Sequence, residues 1–233
     1  SEGEFYFNND FNDEELAGLT GADLAAAIFG EGNYLLGQAQ TDATLRIENG
    51  ALRLIGDNNV EPTDGRTKIN RTQFLLASND QVSDGVVVEC DYRLNSGSKN
   101  AFTFASKPAT STNIENKVWI AGIWSNDKSR TALRDVDDVG KDWSPLAYSD
   151  NLETCGKIGV NYKLRLEVDP KEGLTMYAKR EGDADYVRLG TWTDDDVATF
   201  KGSAFNCLDG NVRLILQCET DVTIDNLKVT PLA

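Results

Sequence analysis

The sequence predicts an all-β protein: a two-sheet antiparallel β-sandwich (jelly roll) with one short helical segment near the N-terminus. Three observations carry this. In residues 157–192, Tyr162, Leu164, Leu166 and Val168 alternate with Lys163, Arg165, Glu167 and Asp169, the period of a half-buried antiparallel strand. Turn chemistry divides short apolar runs along the chain, as at Asp169-Pro170-Lys171-Glu172-Gly173, where Pro presets φ and Gly tolerates positive φ. Helical periodicity is convincing only in 14–30. About fourteen short strands separated by regular turns argue for one sandwich, and no linker, low-complexity tract or repeat divides residues 1–233 into more than one domain.

In chain order, residues 4–7 open as a strand and end in an Asn/Asp-rich turn. In 14–30, Leu16, Leu19, Leu24 and Ile28 share a helical face, and Gly30 is placed to terminate it. Strands are expected at 34–39, 44–48 and 51–55, the last two joined by an Asn49-Gly50 hairpin turn. A loop follows at 57–65, then strands at 73–77, 85–94, 101–106 and 118–124. Residues 125–153 are polar and less regular, with short strands and the longest loops expected there. The 157–192 meander has Leu164, Leu166, Val168, Leu174 and Met176 as its core face and Arg165, Glu167, Tyr177 and Lys179 outward. Strands at 211–217 and 222–229 close the chain. In the last one Val222 and Ile224 have one parity and Leu227 and Val229 the other, which requires a bulge near Asp225-Asn226.

Composition excludes several functions. With 38 acidic against 23 basic residues the net charge is −15. Nucleic acid, anionic membrane and polyanionic glycans are repelled at long range by such a chain unless a local Arg/Lys patch overrides it. No apolar run is long enough to cross a bilayer, and Ser-Glu-Gly-Glu-Phe-Tyr-Phe lacks the basic and apolar regions of a signal peptide. There is no histidine, which removes His-dependent triads and ordinary catalytic zinc sites. Among the four cysteines, Cys90 and Cys218 continue apolar parities and read as buried. Cys155 and Cys207 sit near loops, where a disulfide is one option and no bridge at all is another.

Three stretches together resemble the concanavalin A-like lectin/glucanase superfamily, including laminin-G-like domains: Phe7-Asn8-Asn9-Asp10-Phe11, residues 162–168, and Val222-Thr223-Ile224-Asp225-Asn226-Leu227-Lys228-Val229. The resemblance implies a jelly roll serving as a carbohydrate-binding module, a glycosidase or a polysaccharide lyase. It also implies a structural Ca²⁺ joining the first and last strands. Such a hard cation takes carboxylate and carbonyl oxygens, and Asp10, Asp13 and Asp225 are the natural donors. The acidic runs Asp135-Val136-Asp137-Asp138 and Asp194-Asp195-Asp196 lack a calcium-loop pattern and read as solvated loops.

Aromatic residues point to the ligand. Sugars lay C–H faces on aromatic rings while polar neighbours bond their hydroxyls. Trp119 and Trp124 have opposite parity on one strand, so one packs inside and the other, expected to be Trp124, faces out. Trp143 in a polar loop and Trp192 at the end of the meander are further stacking candidates, and Tyr177 faces outward. Glu89, Asp91, Arg93 and Asn126 are the candidate hydroxyl partners. Glu89-Cys90-Asp91-Tyr92-Arg93 also resembles half of the E-x-D-x-E motif of laminarinase-like glycosidases, in which two carboxylates are nucleophile and general acid. Here the third acid is Arg93, so the pair is incomplete, and a cross-strand ion-pair network of Glu89 and Arg93, or bonding to sugar hydroxyls, is expected instead. Residues 119–126 and Arg71-Thr72-Gln73 loosely resemble alginate-lyase-like jelly rolls. Trp124 replaces their tyrosine, Gln73 their glutamate, and their histidine is missing. These departures imply binding without chemistry, although Tyr92, Tyr148 and Tyr177 leave bases for a lyase. The expectation is a non-catalytic module of a larger extracellular or cell-surface protein, binding a neutral polysaccharide or oligosaccharide. A lyase or glycosidase on the same fold is the alternative, and an adhesion or protein-interaction domain the third reading.

Overall fold

The computed structural model describes residues 4–36, 45–55, 71–96, 100–105, 119–126, 128–135, 147–150, 156–169, 171–192, 212–217 and 221–233. The elements are β1 (Phe7–Asn9), α1 (Gly21–Phe29), β2 (Tyr34–Leu35), β3 (Leu45–Glu48), β4 (Ala51–Ile55), β5 (Arg71–Ala77), α2 (Asn79–Ser83), β6 (Val86–Ser96), β7 (Asn100–Ala105), β8 (Trp119–Asn126), β9 (Lys128–Asp135), β10 (Ala147–Asp150), β11 (Tyr162–Asp169), β12 (Gly173–Arg180), β13 (Val187–Trp192), β14 (Val212–Gln217) and β15 (Asp221–Pro231). The first sheet runs β13-β12-β11-β6-β15-β4-β3, with β1 also paired to β15, and the second runs β10-β9-β8-β7-β14-β5-β2. Every pairing is antiparallel.

Both sheets feed one apolar core. Val86, Val88, Cys90, Leu164, Leu166, Met176, Ile224 and Val229 come from the first, and Phe74, Leu76, Phe104 and Leu214 from the second. This is the arrangement that alternating strands with one apolar face produce when two sheets stack. Phe29 of α1 ties the layers together, stacking on Phe7 of β1 at 5.5 Å and on Phe74 of β5 at 4.3 Å between ring centroids.

The helix is shorter than 14–30. Residues 13–19 make three-residue turns, Leu16 N to Asp13 O and Leu19 N to Leu16 O, and Gly21 at φ +54° separates them from α1. Gly30 does terminate the helix, its N–H bonding Ala26 O. A second helix, α2, was not expected. Ser78 and Gln81 form its capping box, a spacing visible in the sequence but lying between two strands. The polar stretch after Trp124 holds β9, eight residues long, where only short strands were expected. Its Lys-Ser-Arg-Thr-Ala-Leu-Arg-Asp sequence has no apolar alternation to announce it.

The two irregularities expected of the backbone are present. Asn49 and Gly50 have φ of +53° and +73°, the primed turn that suits a two-residue hairpin, and Glu48 pairs with Ala51 across it. A Cβ on Gly50 would also meet Asn12 Oδ1. Gly50→Ala should therefore lower stability by about 1 kcal/mol, roughly 2–4 °C in melting temperature for a chain of this size; an unchanged melt would remove this reading of the turn. In β15 the register with β6 shifts between Asp225 and Lys228, Asn226 sits at φ +47°, and Val222, Ile224, Leu227 and Val229 are all buried on the core side. Cys90 is buried and free; burial pushes its thiol far up, so it behaves as a small hydrophobe. Cys155, Cys207 and Cys218 lie outside the described residues, as do the two acidic runs apart from Asp135.

Candidate functional site

Two surfaces compete, one on the outer face of each sheet. On the first sheet, β6 turns Val86, Val88, Cys90 and Leu94 inward, and Glu89, Asp91 and Arg93 face out as expected. Pairing across strands sets Glu89, Arg165, Tyr177 and Arg188 in one row. The polar groups here satisfy one another. Arg165 and Lys228 reach Glu89 at 3.3 and 3.4 Å, Lys163 reaches Asp91 at 2.7 Å, and Asn226 donates to the other Asp91 oxygen at 2.8 Å. Arg53 bridges Glu48 and Asp221 at 3.0 and 3.1 Å; its hydrogen bonds and those of Arg46 hold the Glu48 carboxyl below the usual carboxylate range.

Of the cross-strand ion-pair network expected for Glu89 and Arg93, the Glu89 part forms, with Arg165 and Lys228. Four residues along an extended strand span about 13 Å, whereas the neighbouring strand is within reach. Arg93 instead donates to Asn95 at 2.7 Å, and Asn95 donates to Asp221 and Thr223. A cleft of about 200 Å³ opens between these groups, lined by Ala51, Asp91, Arg93, Lys163, Thr223 and Asp225. Of its acids, Asp91 is engaged by Lys163 and Asn226, and Glu181 and Asp225 also line it.

Asp225 sits over the bulge. Burial raises its carboxyl above the usual aspartate range, and repulsion from Asp91 and Asp10 raises it further, against a lowering hydrogen bond from Asn226 N–H. Of the three expected calcium donors, Asp10 and Asp225 thus feel one another, but Asp10 accepts from Asn12 N–H and Asp13 from Glu15 N–H within their own turns. Among the described residues no three acidic, histidine or cysteine side chains gather closely enough to hold a metal ion. A carboxyl raised by folding penalises the native state as pH climbs, because the unfolded chain ionises first. Asp225→Asn should match the parent at pH below the ordinary aspartate value and become the more stable protein once pH passes the raised one. A parent and variant whose stabilities run parallel across that window would refute this.

The second sheet has a different character. One register row, Tyr34, Phe74, Leu214, Phe104, Ala121, Leu133 and Ala147, contains the core residues Phe74, Phe104 and Leu214. The alternate row is Leu35, Gln73, Ile215, Thr103, Gly122, Ala132 and Tyr148. It belongs to the outer face. Trp124 shares the parity of Gly122, in a row with Ala101 and Arg130, and Asn126 follows at the same parity. Trp119 has the parity of Ala121 and the core. The two tryptophans thus take register positions of opposite parity on β8. Gln73, on the outer row, is 1% exposed, and among the described residues neither its Nε2 nor its Oε1 has a hydrogen-bond partner. An amide buried without partners costs about 1–3 kcal/mol, so one kept in a native structure calls for an explanation, of which a bound water or ligand is one. The sequence had marked Gln73 only as the residue standing in place of a glutamate.

The structure therefore separates residues that sequence reasoning had combined. Trp124 and Asn126 are in the second sheet; Glu89, Asp91, Arg93 and Tyr177 are on the opposite side of the core, in the first. Trp192 takes the register position opposite Leu174 at the end of β13. Trp143 lies outside the described residues.

No family model matches the chain, and no curated protein sequence matches it. Solved structures do. A non-specific endo-β-1,3(4)-glucanase from family GH16, SCLam, superposes with TM-score 0.55 at 13% identity, covering 98% of this chain and 91% of that one. The carbohydrate-binding module CBM66 from Bacillus subtilis gives 0.51 at 11% identity over 85% and 95%. The xylan β-1,4-xylosidase from Bacillus halodurans gives 0.51 at 15% identity over 86% of this chain, which spans 37% of that enzyme's length. This chain has a jelly-roll fold. In this jelly roll the two candidate faces point away from each other, so one ligand cannot bridge them, and fold alone assigns neither.

Proposed function

We propose that the protein is a non-catalytic glycan-binding module that uses the outer face of its second sheet. The carrying observation is the unpartnered Gln73 amide on the same face as Trp124. Gln73 and Trp124 share a strand parity in the second sheet, three strands apart, and sugar recognition draws on ring faces and on amides that bond hydroxyls. Likeness to carbohydrate-binding modules and to glycoside hydrolases supports a carbohydrate-related role for this jelly roll. The self-paired charges of the first sheet speak against catalysis at Glu89 and Asp91. In this reading residues 1–233 form one domain of a larger extracellular or cell-surface protein. Among the described residues no helix is long and apolar enough to cross a membrane.

The test is retention on a panel of immobilised polysaccharides, with the same polymers assayed for new reducing ends or unsaturated products. Retention on at least one polymer without turnover is the expected result. Sustained turnover would make the domain a glycosidase or lyase, and no retention on any glycan would end the carbohydrate reading.

A further inference from the structure

On the outer face of the first sheet one cation stands apart. Arg53, Lys163, Arg165 and Lys228 each reach a carboxylate. Arg93, half-buried near the end of β6, reaches none among the described residues. Its surroundings explain this. Across β15 it faces Thr223, and both oxygens of Asp91, two residues away on the same face, are taken by Lys163 and Asn226. The guanidinium is nonetheless held in place. Its Nε donates to Asn95 Oδ1 at 2.7 Å, Asn95 Nδ2 donates to Asp221 and Thr223, and Arg53 holds Asp221 from the other side. One edge of the planar fork is thus fixed, while neither Nη atom has a partner among the described residues. Such a fork presents parallel N–H groups matched to a carboxylate.

The cleft of about 200 Å³ beside Arg93 also holds open acceptors. One carboxyl oxygen of Asp225 accepts the Asn226 N–H, and the other has no partner among the described residues. Burial, with Asp91 and Asp10 nearby, makes that carboxylate costly to ionise, a cost that a bound cation lowers. Glu181 lies exposed on the cleft lining. Asp225 is in register with Asp91, two residues from Arg93, so Asp225 and Arg93 are diagonal neighbours, about 7–8 Å apart at their bases. Among the described residues no ion pair joins Arg93 to Asp225 or to Glu181. Opposite charges therefore line one cleft across a gap that their own side chains leave open.

We infer that this cleft binds a small zwitterion, a free α-amino acid, with its carboxylate on the Nη atoms of Arg93 and its ammonium on Asp225. The two poles of an α-amino acid flank a single carbon and close such a gap with charge-assisted contacts at both ends. A ligand carrying only an anion gains Arg93 but faces Asp225 and Glu181, and one carrying only a cation gains Asp225 but faces Arg93 and Lys163. A neutral ligand also escapes the long-range repulsion that a chain of net charge −15 exerts on anions. The site lies across the core from the proposed glycan face and does not depend on it.

The experiment is NMR titration of the isotope-labelled full chain, followed at its assigned backbone amides. The ligands are alanine and leucine; propionate and isocaproate, which lack the amine; ethylamine and isoamylamine, which lack the carboxylate; and glucose. The expected result is alanine or leucine bound at least about tenfold tighter than its one-poled relatives and than glucose, with saturable shifts centred on Arg93, Thr223 and Asp225. Arg93→Gln should weaken that amino acid by about tenfold or more, and Asp225→Asn should erase its advantage over the amine-free acid. Lys171→Gln, in the exposed turn before β12, should leave its affinity unchanged. Failure of both amino acids to bind overturns the inference, as do equal binding by a one-poled relative or by glucose, and shifts that settle elsewhere on the molecule. Retention on polysaccharides tests the glycan reading separately. Should Arg93→Gln fail to fold, the ligand comparison and Asp225→Asn decide the matter.

Discussion

Trp124→Ala should cost the protein its glycan and leave the fold intact. Truncating a central aromatic contact commonly removes about 2 kcal/mol or more of binding energy, roughly 30-fold in affinity. The companion change Trp119→Ala is expected to behave in the opposite way. Trp119 shares the parity of Ala121, in the row of Phe104 and Leu214, and losing a large core aromatic costs about 3–5 kcal/mol of stability. Melting curves and retention on the responsive glycan, measured on both variants, separate the two faces. A Trp124→Ala protein that keeps full affinity would eliminate the proposed site. One that melts as early as Trp119→Ala would mean that the register assignment of the faces is wrong.

The second large effect concerns Gln73. Gln73→Met keeps the length of the side chain and removes an amide whose two polar atoms are buried without partners. Stability should rise by about 1 kcal/mol, or roughly 2–4 °C, because the native state no longer holds desolvated polar atoms. Affinity for the glycan should fall by up to about tenfold, the worth of a hydroxyl contact in a site built to make it. Gain of stability with loss of binding is the signature of a residue kept for function. A drop in melting temperature would show that the amide has a structural partner, and unchanged affinity would remove it from the site.

Legibility of the fold followed burial. β6, β11, β12 and β15 each have one core face and one wet face, so their alternation was readable, and the parity break at Asp225-Asn226 revealed a bulge before any coordinates. β9 escaped because its residues Lys128, Arg130 and Arg134 share a face with Ala132, and a cationic face opposite small polar residues has no hydrophobic period. The site was less legible for a different reason. Strand parity tells which residues share a face, but not which strands share a sheet. Glu89 and Trp124 were therefore drawn into one groove although the core lies between them. Burial of Gln73 depends on tertiary packing and leaves no trace in local sequence.

The position of β15 has a consequence for how the chain assembles. It is the inner strand joining β6 on one side to β4 and β1 on the other, and its contact with β6 links residues as far apart as Asp91 and Asn226, 135 positions along the chain. Hairpins such as β3–β4 and β11–β12 can close early, since their loops are short. The first sheet, however, remains split into two ribbons until its last strand arrives, and such distant closure is slow. During that interval β6 offers an open edge rich in valine, the kind of edge on which neighbouring chains pair wrongly. Refolding yield should therefore be governed by protein concentration more than by final stability.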